Sequence, residues 1–201
     1  MSKDEYLITD APLKALTVFA MPMILGSFFQ QIYNMADSII VGQFVGSSAL
    51  AAVGATSSLS NLIIGFLMGL SNGFAIITAQ RFGAKDLRGV KKSFAMSLTL
   101  GTAVAAGLTV LGLLFLQPIL RFLNVPENLR TMAGSYIVII IAGLIATFLY
   151  DACAAALRAL GDTITPLVIL AISVILNIAG DLFFVVVLKT GVRGAAVATV
   201  S

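Results

Sequence analysis

Residues 38–80 read SIIVGQFVGSSALAAVGATSSLSNLIIGFLMGLSNGFAIITAQ, 43 positions without one charged side chain. One helix of that length would measure ~65 Å, about twice the ~30 Å hydrocarbon core of a bilayer. The run must therefore turn back on itself. Its weakest point is Gly42-Gln43-Phe44-Val45-Gly46-Ser47-Ser48, where glycines and serines interrupt the apolar pattern. This predicts one membrane helix over about 15–42 and a second over about 49–80.

Uncharged runs at 15–36, 93–120, 131–150 and 163–180 extend the pattern. The 201 residues are 59% hydrophobic and only 10% charged, with a mean hydropathy of +1.06. A soluble domain carries roughly 25% charged residues, so the composition excludes one. Further helices are expected over about 92–117 (ending before Pro118) and 128–152, the latter started by Asn124-Val125-Pro126-Glu127. The fifth is expected over about 165–188, with Thr165-Pro166 as N-cap and first helical residue. A segment at 194–201 reads as the truncated start of a sixth. The expected architecture is an all-α polytopic membrane protein: a cytosolic segment over 1–14, then a lobe over 15–201 with five complete spans.

Other classes fall on composition. The net charge of +3 comes from basic residues flanking apolar runs, a topology signal rather than a nucleic-acid face. The single cysteine, Cys153, cannot form an internal disulfide, and the absence of histidine leaves proton chemistry to carboxylates. Met1 to Asp10 is polar and mixed in charge, unlike a signal peptide. With the N-terminus cytosolic, inner segments hold Lys3, Lys14, Arg81, Lys85, Arg88, Lys91, Lys92 and Arg158. Outer segments hold only Arg121, Arg130, Lys189 and Arg193, so the chain is read as N-terminus inside.

Most of the acids fall where water reaches them, with Asp151 expected at the inner end of the fourth helix. Asp37 and Asp181 fall inside helices, where a carboxylate costs roughly 3 kcal/mol on insertion scales and is usually partnered and functional. Counted from the outer helix ends, Asp37, Asp181 and Thr199 lie at a similar depth of ~8–11 Å. Asn177 sits one turn deeper than Asp181 on the same face, and Gln30, Tyr33, Asn34 and Asp37 form one stripe. Two carboxylates, an amide and a hydroxyl make an oxygen-rich pocket for a proton or a hard cation such as Na⁺. Adjacent buried carboxylates repel when both are charged, so cation binding neutralises the site and release restores a repulsion able to drive movement. Pro22 breaks a backbone hydrogen bond within the first helix and is either a static bend or a hinge.

Several segments carry a family resemblance: Tyr33-Asn34-Met35-Ala36-Asp37-Ser38-Ile39-Ile40-Val41-Gly42, Ala49 to Gly54, Gly69-Leu70-Ser71-Asn72-Gly73, Ala79 to Asp86, and Leu157-Arg158-Ala159-Leu160-Gly161-Asp162-Thr163 followed by Pro166 and Leu176-Asn177. In that order and spacing the chain resembles the multidrug and toxic compound extrusion (MATE) transporters. The resemblance implies a twelve-helix antiporter of two six-helix lobes, of which this chain is most of the N-terminal lobe, with the C-terminal lobe as its missing partner. It implies outward transport of cationic or amphipathic small molecules against H⁺ or Na⁺, across a bacterial or archaeal plasma membrane. By position, Asp37, Asn177, Asp181 and Thr199 resemble the cation site, Gln30, Tyr33 and Asn34 the cavity wall, and Pro22 the hinge. No enzymatic activity, structural metal or further cofactor is expected, and the partners are the lipid bilayer and small molecules, not nucleic acid.

Three rivals are weaker. A lipid-linked-precursor flippase of the same superfamily would line its cavity with basic residues, and no Lys or Arg lies within an apolar run here. An intramembrane aspartyl protease would need its motifs on facing helices, whereas Tyr150-Asp151 and Gly161-Asp162 flank one loop. A passive channel would need a ring of charge. A fragment with no transport of its own is the remaining alternative.

Overall fold

The computed structural model describes residues 12–200, which form helices and turns without a strand. Lipid offers the backbone no hydrogen bonds, so a spanning segment must satisfy its N–H and C=O groups internally, and helices do this. Helix α1 (Pro12–Ile40) passes into a π-helical turn, Val41–Val45. Helix α2 is Ser47–Gly83, α3 is Leu87–Leu114, α4 is the short Leu116–Phe122, and α5 is Glu127–Ala142. Helix α6 is Leu144–Ala159, α7 is Ile164–Asp181 with a second π turn over Leu182–Val187, and α8 is Val192–Val200. Four of these segments are long and apolar enough to span a bilayer, and α5 with α6 supplies a fifth, bent by 45°.

The turn expected over Gly42–Ser48 is tighter than that, because only Gly46 leaves the helical path. Its φ of 112° is a conformation that favours glycine. Helix α3 starts five residues earlier than expected because Asp86 caps it: its Oδ1 accepts from the Gly89 N–H at 2.9 Å. Asp86→Ala should therefore destabilise α3 by about 1 kcal/mol, and Asp86→Asn by much less. Thermal unfolding in detergent checks this. Pro118 falls in the first turn of α4, where its missing N–H leaves no intrahelical bond unmade.

Two expectations are corrected. The fourth helix is not one rod over 128–152 but the bent pair α5–α6, reaching Ala159. At the bend, Gly143 has no side chain, and a Cβ there would collide with Val200 of α8. The start of α7 is capped by Asp162 rather than Thr165. Asp162 Oδ1 accepts from the N–H groups of Ile164 (3.2 Å) and Thr165 (3.0 Å). A carboxylate at a helix N-terminus both satisfies orphan donors and meets the positive end of the dipole.

Helix α1 packs on α7, α7 on α8, α8 on α5, and α5 on α2 and α3, while α6 lies along α2 and α3. Small residues set the close approaches: a Cβ on Gly180 would sit 3.3 Å from Ala198 Cβ, which brings α8 against α7. One apolar cluster, including Ile40, Val41, Tyr136, Val185 and Ala195, ties both π turns to α5 and α8.

Candidate functional site

Asp37 lies in the last full turn of α1 before its π turn, and Asp181 is the last α-helical residue of α7 before the other. The two π turns pack against each other, so both acids are delivered to one region of the lobe. A π turn inserts a residue into the helix and is commonly found at functional sites. Both acids are buried, Asp37 at 9% exposure and Asp181 at 0%. Each lies within the electrostatic reach of the other, with Asp37 contributing directly to the field at Asp181.

Two phenols complete the group. Tyr33, one turn before Asp37, feels both carboxylates and lies near the Thr199 side chain on α8, whose hydroxyl donates to the Ala195 carbonyl at 2.9 Å. Tyr136 of α5, 8% exposed, feels Asp37, Tyr33 and Asp181. The region is thus built by α1, α5, α7 and α8. Asp37 Oδ1, both carboxylate oxygens of Asp181 and both polar atoms of Asn177 are enclosed without a hydrogen-bond partner among the described residues. Buried polar groups in native proteins are nearly always paired, so five such atoms on three residues mark a place built for an interaction beyond folding.

Of the residues singled out in the sequence, the structure brings Tyr33, Asp37, Asp181 and Thr199 together. Asn177 is half-buried, on the turn of α7 preceding Asp181. Gln30 and Asn34 share the stripe on α1 but are exposed, so the stripe divides into a buried edge and an open edge. Pro22 is inside α1, half-buried, with helix on both sides of it. Tyr136 went unrecognised in the sequence because it stands in the run Ser135-Tyr136-Ile137-Val138-Ile139 and reads as one more apolar contact. Only the packing of α5 against α8 and the π turns reveals its phenol as a neighbour of the acids.

Asp151 is also corrected. Because α6 continues to Ala159, this acid lies about 12 Å inside the helix end rather than at it. Its Oδ2 is enclosed without a hydrogen-bond partner, and Arg158 lies within its electrostatic reach. Asp151 is not among the charges felt by Asp37 or Asp181, so it does not belong to their group.

The MatE family model matches residues 22–183 of the chain. The probable multidrug resistance protein YpnP of Bacillus subtilis is 32% identical over 188 residues, covering 94% of this chain and 42% of that protein. The probable multidrug resistance protein NorM of Thermotoga maritima is 28% identical over 191 residues, covering 93% of this chain and 41% of its own length. An outward-facing structure of a multidrug resistance MATE family transporter superposes with a TM-score of 0.92 at 30% identity, over 100% of this chain and 44% of that one. The chain therefore spans less than half the length of the relatives it matches.

Proposed function

This chain belongs to the MatE family of membrane transporters, and on that premise we propose that it works as one lobe of a multidrug exporter. The transporter moves cationic or amphipathic small molecules outward against an inward flow of H⁺ or Na⁺. The observation that carries this reading is the pair Asp37 and Asp181, buried within reach of each other with a shell of unpartnered oxygens. Two carboxylates, the Asn177 amide and the Thr199 hydroxyl are the oxygen donors that a small hard cation takes, and either carboxylate can take a proton instead.

Coupling follows from electrostatics. With the cation bound, the pair is neutralised and α1 and α7 can stay close. With the cation released inward, two like charges share a low-dielectric interior, and separating the helices relieves the repulsion. Gln30 and Asn34, on the open edge of the α1 stripe, meet cargo, so movement of α1 changes the cargo surface and the cation site together. The N-terminus is cytosolic, which places the cation site towards the outer face.

Cargo flux into everted vesicles carrying the full-length protein tests the reading. Flux should follow an imposed Na⁺ or H⁺ gradient and vanish when that gradient is collapsed. Flux indifferent to both gradients overturns it.

Pro22 is the hinge of this cycle, since it has no N–H to bond the carbonyl of Val18. Pro22→Ala restores that bond and stiffens α1, proline being about 3 kcal/mol less favourable than alanine in a helix interior. The variant should bind the coupling cation as wild type does but turn over several-fold more slowly. A transport rate equal to wild type would identify the proline as a static bend.

A further inference from the structure

The turn between α2 and α3 concentrates Arg81, Lys85, Arg88, Lys91 and Lys92 within twelve residues. All five are exposed. The one acid of the turn, Asp86, is already engaged: Oδ1 caps α3 and Oδ2 pairs with Arg81 at 3.4 Å. Lys85, Arg88, Lys91 and Lys92 form no ion pair among the described residues.

Their placement is unfavourable for the isolated chain. Arg88, Lys91 and Lys92 occupy the first two turns of α3, whose first turn contains no acid. The helix dipole is positive there and disfavours cations. Arg88 stands three and four residues from Lys91 and Lys92, so the three share one helix face as like charges, which is also destabilising. A topology signal needs basic residues somewhere in the segment but does not need them stacked at the positive end of a helix. An anionic partner that meets this face would offset all of these costs at once.

The partner is fixed by position. The cations lie where two apolar helices long enough to span a bilayer end, on the side that the charge asymmetry assigns to the cytosol. We propose that the basic face formed by Lys85, Arg88, Lys91 and Lys92 binds the phosphate headgroups of acidic phospholipids in the cytosolic leaflet. It rests on the inside orientation of the N-terminus but not on the transport reading, and its readout is independent of flux. A basic residue near an anionic surface contributes roughly fivefold to binding, and salt screens that contribution.

The test uses the full-length protein, extracted from vesicles that mix phosphatidylcholine with phosphatidylglycerol, and counts retained lipid by native mass spectrometry. Wild type should retain phosphatidylglycerol over phosphatidylcholine by at least about tenfold more than the variant Lys85→Gln/Arg88→Gln/Lys91→Gln/Lys92→Gln. A control with Arg121→Gln/Lys189→Gln, which removes outer charge, should keep the preference. Unchanged preference in the fourfold variant overturns the proposal, and so does equal loss in the control, which would mark a general charge effect. Sidedness is read with Lys85→Cys in a Cys153→Ala background. Labelling by an impermeant maleimide from the cytosolic side supports the proposal, and labelling from outside overturns it.

Discussion

Asp37→Asn and Asp181→Asn should each reduce gradient-driven export by the full-length protein to background while the protein still folds and inserts. Asparagine keeps the size and most of the polarity of aspartate, so packing at these buried positions is disturbed little. On the proposed reading, what is lost is the charge that draws a cation to the site and the repulsion that follows its release. Either substitution alone should suffice, because each acid lies in the field of the other and the coupling belongs to the pair. The measurement is cargo accumulation in everted vesicles at matched protein content, with Asp151→Asn as a comparison. Asp151 lies outside the group, so its substitution should leave coupling to the gradient intact even if it alters packing near Arg158.

Gly101→Ala should destabilise the lobe even though helix propensity alone favours alanine over glycine by about 1 kcal/mol. Gly101 is buried on α3, and a Cβ there would run into the Phe148 ring of α6, which is itself fully buried. Forcing atoms into packed space costs typically 1–3 kcal/mol, enough to reverse the sign. Gly107, on the same helix, has nothing within 4 Å of the position its Cβ would occupy. Gly107→Ala should therefore be neutral or stabilising. Thermal unfolding of both variants in one detergent compares the two effects, and Gly101→Ala combined with Phe148→Leu should recover part of the loss. If Gly101→Ala raised stability as Gly107→Ala does, α3 and α6 would not meet as described.

The spans were legible because membrane helices are written in one variable, the absence of charge, and the chain supplies charge-free runs bounded by Lys, Arg and Asp. Asp37 and Asp181 stand out by the same rule, as charges that interrupt the apolar stretch of a single expected helix. Less legible were features that depend on a neighbour. Nothing in Val41–Val45 or Leu182–Val187 announces a π turn, and Gly143 alone does not announce a bend; the need for a glycine there comes from the approach of Val200 on another helix. Tyr136 is an aromatic in an apolar run until the fold sets it beside two acids. Asp151 is hard to place from sequence for a simpler cause: a charge reads as a helix end, although α6 carries that charge inward and continues to Ala159.

The cap of α7 shows the same limit on a smaller scale. Thr165-Pro166 matches the preferred types for an N-cap and first residue, yet Asp162 reaches two backbone N–H groups and fixes the start earlier. Local preference named an acceptable start, and the stronger acceptor nearby decided it.

On the proposed reading, Asp37 and Asp181 together hold the transported cation. Infrared difference spectroscopy of the carboxyl stretch, on the full-length protein in lipid switched between cation-loaded and cation-free conditions, tests it most directly. Carboxyl bands should respond to loading in wild type and disappear in Asp37→Asn/Asp181→Asn. The same bands persisting unchanged in the double variant would place the cation elsewhere.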